Sequence, residues 1–225
     1  MNNKCAAILG LLFVTAAGPS WSACREDGLQ LQVLGSGGPG HAAGRASTAY
    51  VLWQNGASRF MVDAGSGSKD QFHQAGVNLA QIELLALSHL HPDHSAELPA
   101  ILWPAGASFA IAGPSSGNQF PSIGDFIAGQ FGPQGVYPIL GDRVNLDVIE
   151  VDAAGDQVSE VWQQGEARVR GRRVPHGNVP AIGYRFDFAD ASIAFTSDQN
   201  GSDPGFIDFI DGVDFLVIHL AANED

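Results

Sequence analysis

Residues 84–95 read LLALSHLHPDHS, an apolar run that delivers His89, His91, Asp93 and His94 inside six positions. The whole chain of 225 residues holds only seven histidines, so their crowding here is not a compositional accident. Imidazole nitrogens and a carboxylate oxygen on one tight loop form the donor set that suits zinc or a similar divalent ion. A water held by such ions is acidified toward neutral pH and becomes a nucleophile for hydrolysis.

That loop needs elements to hold it. The apolar run before it predicts a strand. A helix is expected from His94 or Ser95 through Glu97, Leu98 and Ile101, stopped by Pro104, which places Asp93 and His94 near a helix start where carboxylates are favoured. Upstream, Leu29 to Leu34 predicts a first strand running into Gly35-Ser36-Gly37-Gly38-Pro39-Gly40, a turn whose spacing fits neither a Walker loop nor a dinucleotide fingerprint. Strands over 49–54 and 59–62 are joined by Asn55-Gly56, a hairpin turn tolerant of positive φ, and end in Asp63-Ala64-Gly65-Ser66-Gly67. Ser68 is expected to cap a helix through Gln74. Downstream, the pattern predicts a strand near 109–112, a helix over 121–131 with Ile123, Phe126 and Ile127 on one side, and strands over 144–151 and 158–163. Arg168 and Arg170 alternate with Val169 as on a strand with one solvated face, and Arg172 and Arg173 lead into Val174-Pro175-His176-Gly177. A hairpin over 182–188 and 192–196 ends in Ser197-Asp198, and a last apolar strand over 213–218 delivers His219.

HLHPDH is an instance of HxHxDH and resembles the signature of the metallo-β-lactamase-fold hydrolases. LGSGGPG followed by Arg45-Ala46-Ser47-Thr48 resembles the RNase Z and arylsulfatase-like branch of that superfamily. The resemblance implies an α+β architecture, a four-layer αββα sandwich with metals at one edge, here lacking the last helix and strand. It implies that His176 completes a first metal site with His89 and His91, and that Asp93, His94 and Asp198 serve a second, with Asp198 shared. Asp93 would orient and deprotonate the water. Asp63 matches either a support for the metal loop or a plain turn aspartate. His219 resembles the histidine of a strand-terminal His-Glu element that assists proton transfer, although Leu220 stands where the Glu would be. The final histidine of the family pattern is absent before Asp225, which leaves the second site a ligand short. The implied cofactor is zinc, as two divalent ions, with manganese or iron as alternatives.

Composition sets the class and the partners to be expected. With 45% hydrophobic and 16% charged residues the chain is an ordinary globular sequence, and its 28 glycines favour strands joined by tight turns. Residues 1–22 read as a secretory signal peptide, with one Lys4, an apolar segment and small residues, leaving 23–225 as one domain. Ser22, Ala23 and Cys24 also form a weak lipoprotein box, the one route to a membrane. Loss of Cys5 with the leader leaves no internal disulfide. The formal charge of −13 disfavours nucleic acid as a partner. The expected substrate is therefore a small-molecule ester (sulfate, phosphate or lactone) met in the periplasm or outside the cell. The arginines before His176 either solvate a face or receive an anionic group. Alternatives are tRNA 3′ processing, β-lactam hydrolysis, and a degenerate metal-binding fold without turnover. A sheet edge left open by the missing elements is expected to expose core, which an oligomer would cover.

Overall fold

A computed structural model describes residues 27–40, 44–103 and 106–219. The expected leader, Cys24 and Pro104 lie outside the described residues. No helix among the described residues is long and apolar enough to cross a membrane.

Among the described residues, eleven strands form two sheets. The first sheet runs in chain order: β1 (Leu29–Gly35), β2 (Ala49–Gln54), β3 (Ala57–Val62), β4 (Leu84–Ala86), β5 (Ala107–Pro114) and β6 (Val144–Val151). Its first three strands are antiparallel and the remainder parallel, so the sheet is mixed. The turn between β2 and β3 places Asn55 at φ 50° and Gly56 at φ 75°, the left-handed pair that a two-residue hairpin demands. The second sheet has the order β11-β10-β9-β8-β7, built from β7 (Ser159–Gln164), β8 (Ala167–Arg173), β9 (Ile182–Asp187), β10 (Ser192–Phe195) and β11 (Phe215–Val217).

The period of two along each strand of the first sheet divides its side chains between two cores. Tyr50, Leu52, Phe60, Val62, Leu84 and Ala86 face the second sheet and meet Val169, Ile182, Tyr184, Phe186, Ile193 and Phe195. Phe60 anchors that interior, with Trp162, Phe186 and Phe188 at 5.1, 5.6 and 5.7 Å between ring centres, all edge-on. The alternate residues Val51, Trp53, Met61, Leu85 and Ile111 face outward into a second core. Helices cover it: α1 (Ser68–Gln74), α2 (Pro92–Ser95), α3 (Leu98–Leu102), α4 (Ile123–Phe131) and α5 (Pro138–Gly141). On the far side of the second sheet, Phe206 and Phe209 of α6 (Pro204–Ile210) pack on Val174 and Ala181. The layers are thus helix, sheet, sheet, helix, the expected αββα sandwich.

Three local expectations are corrected. The helix foreseen from His94 to Ile101 is two short helices, because the Glu97 amide donates to the Ala64 carbonyl (2.9 Å) instead of continuing the helical ladder. Ser68 does not cap α1. The capping position is Gly67 at φ 80°, whose amide donates to the Glu97 carboxylate (2.6 Å). The arginines before His176 are already engaged: Arg168 with Glu160 (2.7 Å), Arg170 with Asp187 (2.7 Å), Arg172 with Asp203 (3.1 Å) and Arg173 with Asp156 (3.2 Å). They tie the second sheet to its own carboxylates rather than form an open cationic patch. Among the described residues β11 is hydrogen-bonded to a neighbouring strand on one side only, and its Phe215 is 61% exposed.

Candidate metal centre

The first sheet's β3 and β4 run parallel, and in the second sheet β8 and β10 both run antiparallel to β9, with β11 parallel to β10. The C-terminal ends of all five strands therefore open on one edge of the sandwich. Asp63 follows β3, the histidine loop follows β4, His176 lies beyond β8, Asp198 beyond β10 and His219 beyond β11. Two bonds between the sheets fix the stem of the histidine loop: the Ile182 amide donates to the Ser88 carbonyl (2.8 Å) and the Tyr184 hydroxyl to the Leu87 carbonyl (3.1 Å).

Donor atoms converge in two groups, each with its atoms within 4.8 Å of one another: His89, His91 and His176, then His89, His94 and Asp198. His89 Nε2 lies 3.0 Å from His91 Nδ1, and His176 Nε2 lies 3.5 Å from the same atom. Nitrogens about 2.0–2.1 Å from a tetrahedral zinc ion stand about 3.3 Å apart, so the edge lengths suit that ion. On the other side His94 Nε2 is 3.6 Å from both Asp93 Oδ2 and Asp198 Oδ1, and Asp198 Oδ2 is 3.9 Å from His176 Nε2. Asp198 thus reaches toward both groups. The sequence-based partition differs in one respect, because His89 belongs to both groups while Asp93 stands beside the second without joining its tightest set. His219 belongs to neither. Its ring centre is 5.9 Å from that of His94, and its Nε2 is buried without a hydrogen-bond partner.

Electrostatics favour neutral imidazoles ready to bind metal. Burial pushes the His89 pKa far down, and the neighbouring histidines push it the same way. Burial also lowers His176 and His219, only partly opposed by Asp198. His94 goes the other way: burial opposes its charge, but the charge and hydrogen bond of Asp63 outweigh that and raise its pKa.

Asp63 is the residue that the sequence left undecided between two roles. It is fully buried, in the left-handed region at φ 60°, and one oxygen accepts from the Ser88 amide (2.7 Å). The other accepts from the Ser88 hydroxyl (2.9 Å) and from His94 Nδ1 (2.8 Å). A carboxylate on the far nitrogen fixes the tautomer of a metal-facing histidine and raises its basicity. Ser197, next to Asp198, is also left-handed at φ 56°, so a conformation unusual for a side-chain-bearing residue occurs beside the site in both sheets.

Gly65 completes the fit between the Asp63 turn and the histidine loop. A Cβ there would stand 2.1 Å from the Asp93 carbonyl oxygen, which is backbone and cannot swing away. Gly65→Ala is expected to cost about 1–3 kcal/mol, the usual scale of overpacking, read as a lowered thermal midpoint. An unchanged midpoint would show that the loop is not held against this turn.

A third wall closes the second group. Tyr50, from β2, packs edge-on against His219 (5.7 Å between centres), and burial with the charges of Asp63 and Asp198 pushes its pKa up to about 12. Nothing in the local sequence marks Tyr50, which reads as one more strand residue.

The family described as "Metallo-beta-lactamase superfamily" matches residues 42–221. Ribonuclease Z of Mycolicibacterium gilvum is 30% identical over 181 residues, covering 76% of this chain and 61% of the relative. Ribonuclease Z of Prochlorococcus marinus is 30% identical over 170 residues, covering 71% of this chain and 48% of the relative. The chain therefore spans about half to three-fifths of the length of these relatives. Among solved structures, the short form of human tRNase Z superposes with a TM-score of 0.66 at 20% identity, covering 83% of this chain and 76% of that one. This last likeness is one of fold. The ribonuclease relatives overturn the expectation of a small-molecule ester substrate with nucleic acid disfavoured. That expectation summed charge over the whole chain, whereas recognition of a phosphodiester is local and the cations at such a site are bound metals.

Proposed function

We propose that this chain, which belongs to the metallo-β-lactamase superfamily, is a metal-dependent phosphodiester hydrolase whose substrate is RNA, cut near a 3′ end. One observation carries the reading: two donor groups that share His89 and are both approached by Asp198, in a chain whose relatives are ribonucleases Z. His89, His91 and His176 would hold one divalent ion, and His94 with Asp198 a second, zinc being preferred by the nitrogen-rich set and manganese or iron the alternatives. When bound, the ions would supply an acidified water and Lewis acidity toward a phosphoryl oxygen. Asp93, beside His94, would orient the attacking water and accept its proton. His219, with its unpartnered Nε2 in the same cavity as Asp198, would hydrogen-bond the leaving oxygen.

The test is turnover of a p-nitrophenyl phosphodiester and of a 3′-extended tRNA by zinc-loaded and manganese-loaded protein. Activity on both, lost on chelation and restored by metal, is the expected result. Because the arginines of β8 are all paired with carboxylates, the rate on tRNA should fall less steeply with salt than for a protein that grips a track of phosphates. A fully loaded protein that cleaves neither substrate overturns the reading in favour of a metal-binding fold without turnover.

A further inference from the structure

Beside the second donor group lies a cavity of about 210 Å³ whose lining includes Thr48, Tyr50, Asp93, His94, Asp198 and His219. Tyr50 enters it from the first sheet. Its ring is held between the sheets by Phe195 (5.3 Å between centres) and by the edge contact with His219, so the side chain has little freedom to turn away. Only 6% of the residue is exposed.

A buried phenol ordinarily finds a hydrogen-bond partner, because leaving an O–H unpaired away from water costs free energy. The protein's other deeply buried tyrosine obeys this rule, since Tyr184 donates to the Leu87 carbonyl at 3.1 Å. Tyr50 differs: its hydroxyl makes no hydrogen bond with any described residue and is not sealed from solvent, on a side chain that lines the same cavity as the candidate ligands. A phenylalanine would fill the apolar part of this position equally well, so packing does not account for the oxygen. His219 Nε2, on the ring that touches Tyr50, is likewise buried and unpartnered. On these two contacting rings, the buried His219 Nε2 and the solvent-accessible Tyr50 hydroxyl both lack protein partners at one cavity, so a group that enters it can partner both.

We infer that the Tyr50 hydroxyl is a further catalytic group, donating a hydrogen bond to a non-bridging oxygen of a phosphoryl group seated at His94 and Asp198. The inference rests on the phosphodiesterase reading for its substrate class. A phenol suits the role because it donates without carrying a positive charge, and the rigid ring sets the donor in place before charge develops on the phosphoryl oxygen.

Inorganic phosphate binding to zinc-loaded protein, followed by calorimetry, tests it without turnover. Tyr50→Phe keeps the ring and its contacts with Phe195 and His219, and an unaltered thermal transition checks that the fold is kept. The expected result is at least a tenfold weaker phosphate affinity at unchanged zinc content. On a phosphodiester, kcat/KM should fall by about 10²-fold, the scale of losing one such donor. Phosphate binding equal to that of the wild type overturns the inference, as does a wild-type protein that does not bind phosphate. Loss of zinc from Tyr50→Phe also overturns it, since the tyrosine would then be a support for the metal loop. A wild type that binds phosphate through Tyr50 yet cleaves no diester counts against the hydrolase reading alone.

Discussion

His89→Ala is expected to strip metal from the first donor group and to weaken the second, because its Nε2 stands 3.0 Å from His91 Nδ1 while its ring packs against that of His94. Removing His91 or His176 takes a donor from the first group only, and removing Asp198 takes one that reaches toward both. The side chain is fully buried, its pKa is pressed down by burial and by its histidine neighbours, and its ring centre lies 4.0 Å from that of His94 and 4.7 Å from that of His91. Metal per chain should fall after loading at neutral pH, and further than in His91→Ala. Hydrolysis should drop by about 10³-fold, the upper end of what loss of a single transition-state stabilising group costs, because the first ion is lost and the second group loses the ring packed against His94. His91→Ala, by contrast, should retain metal at the second group. Equal metal retention by the two variants, read by elemental analysis, would show that His89 supports the first group alone.

Asp63→Ala carries the second large effect, and it acts without touching metal. The carboxylate accepts from the Ser88 amide, the Ser88 hydroxyl and His94 Nδ1, all buried, so truncation leaves the Ser88 amide unpaired and the hydroxyl and His94 Nδ1 only each other, 3.2 Å apart. Breaking a buried charged pair from one side costs about 3–5 kcal/mol. Loss of such an outer carboxylate lowers metal affinity by about 10–100-fold. Asp63 raises the His94 pKa above 6.5, so in metal-free protein the pair stabilises fully below that unfolded value and the gain is lost as pH rises through the raised folded one. Metal competes with the same proton at His94 and should therefore bind more tightly as pH climbs through this window. In Asp63→Ala the climb should move to lower pH, with weaker binding at its plateau. Zinc affinity measured between pH 6 and pH 8.5 checks this, and a pH profile identical to that of the wild type would remove Asp63 from the account.

The candidate ligands were legible because most of them announce themselves locally. His89, His91, Asp93 and His94 share one loop, and a loop that short cannot scatter its side chains widely once an apolar strand is anchored behind it. His176 and Asp198 were legible only through a family resemblance, since an isolated histidine or turn aspartate has no local signature. The strands over 49–54 and 59–62 were legible, but their division between two cores was not, because nearly every residue of β2 is apolar and buried on both faces. The helix after the motif was misread because Glu97 finds its backbone partner at Ala64, a contact that no local pattern encodes.

What the sequence by itself determined is the donor chemistry: which atom types are available, their order along the chain, and the period-two strands that carry them. Only the tertiary structure decided how they are shared. It placed His89 between two groups, turned Asp63 from a turn residue into the buried acceptor of His94 across 31 positions, paired the arginines with carboxylates, and brought Tyr50 to His219. The physical reason is the same in each case. Donor identity is covalent and local, whereas convergence depends on two sheets packing so that five strands end on one edge, a relation among distant segments that burial of both faces imposes.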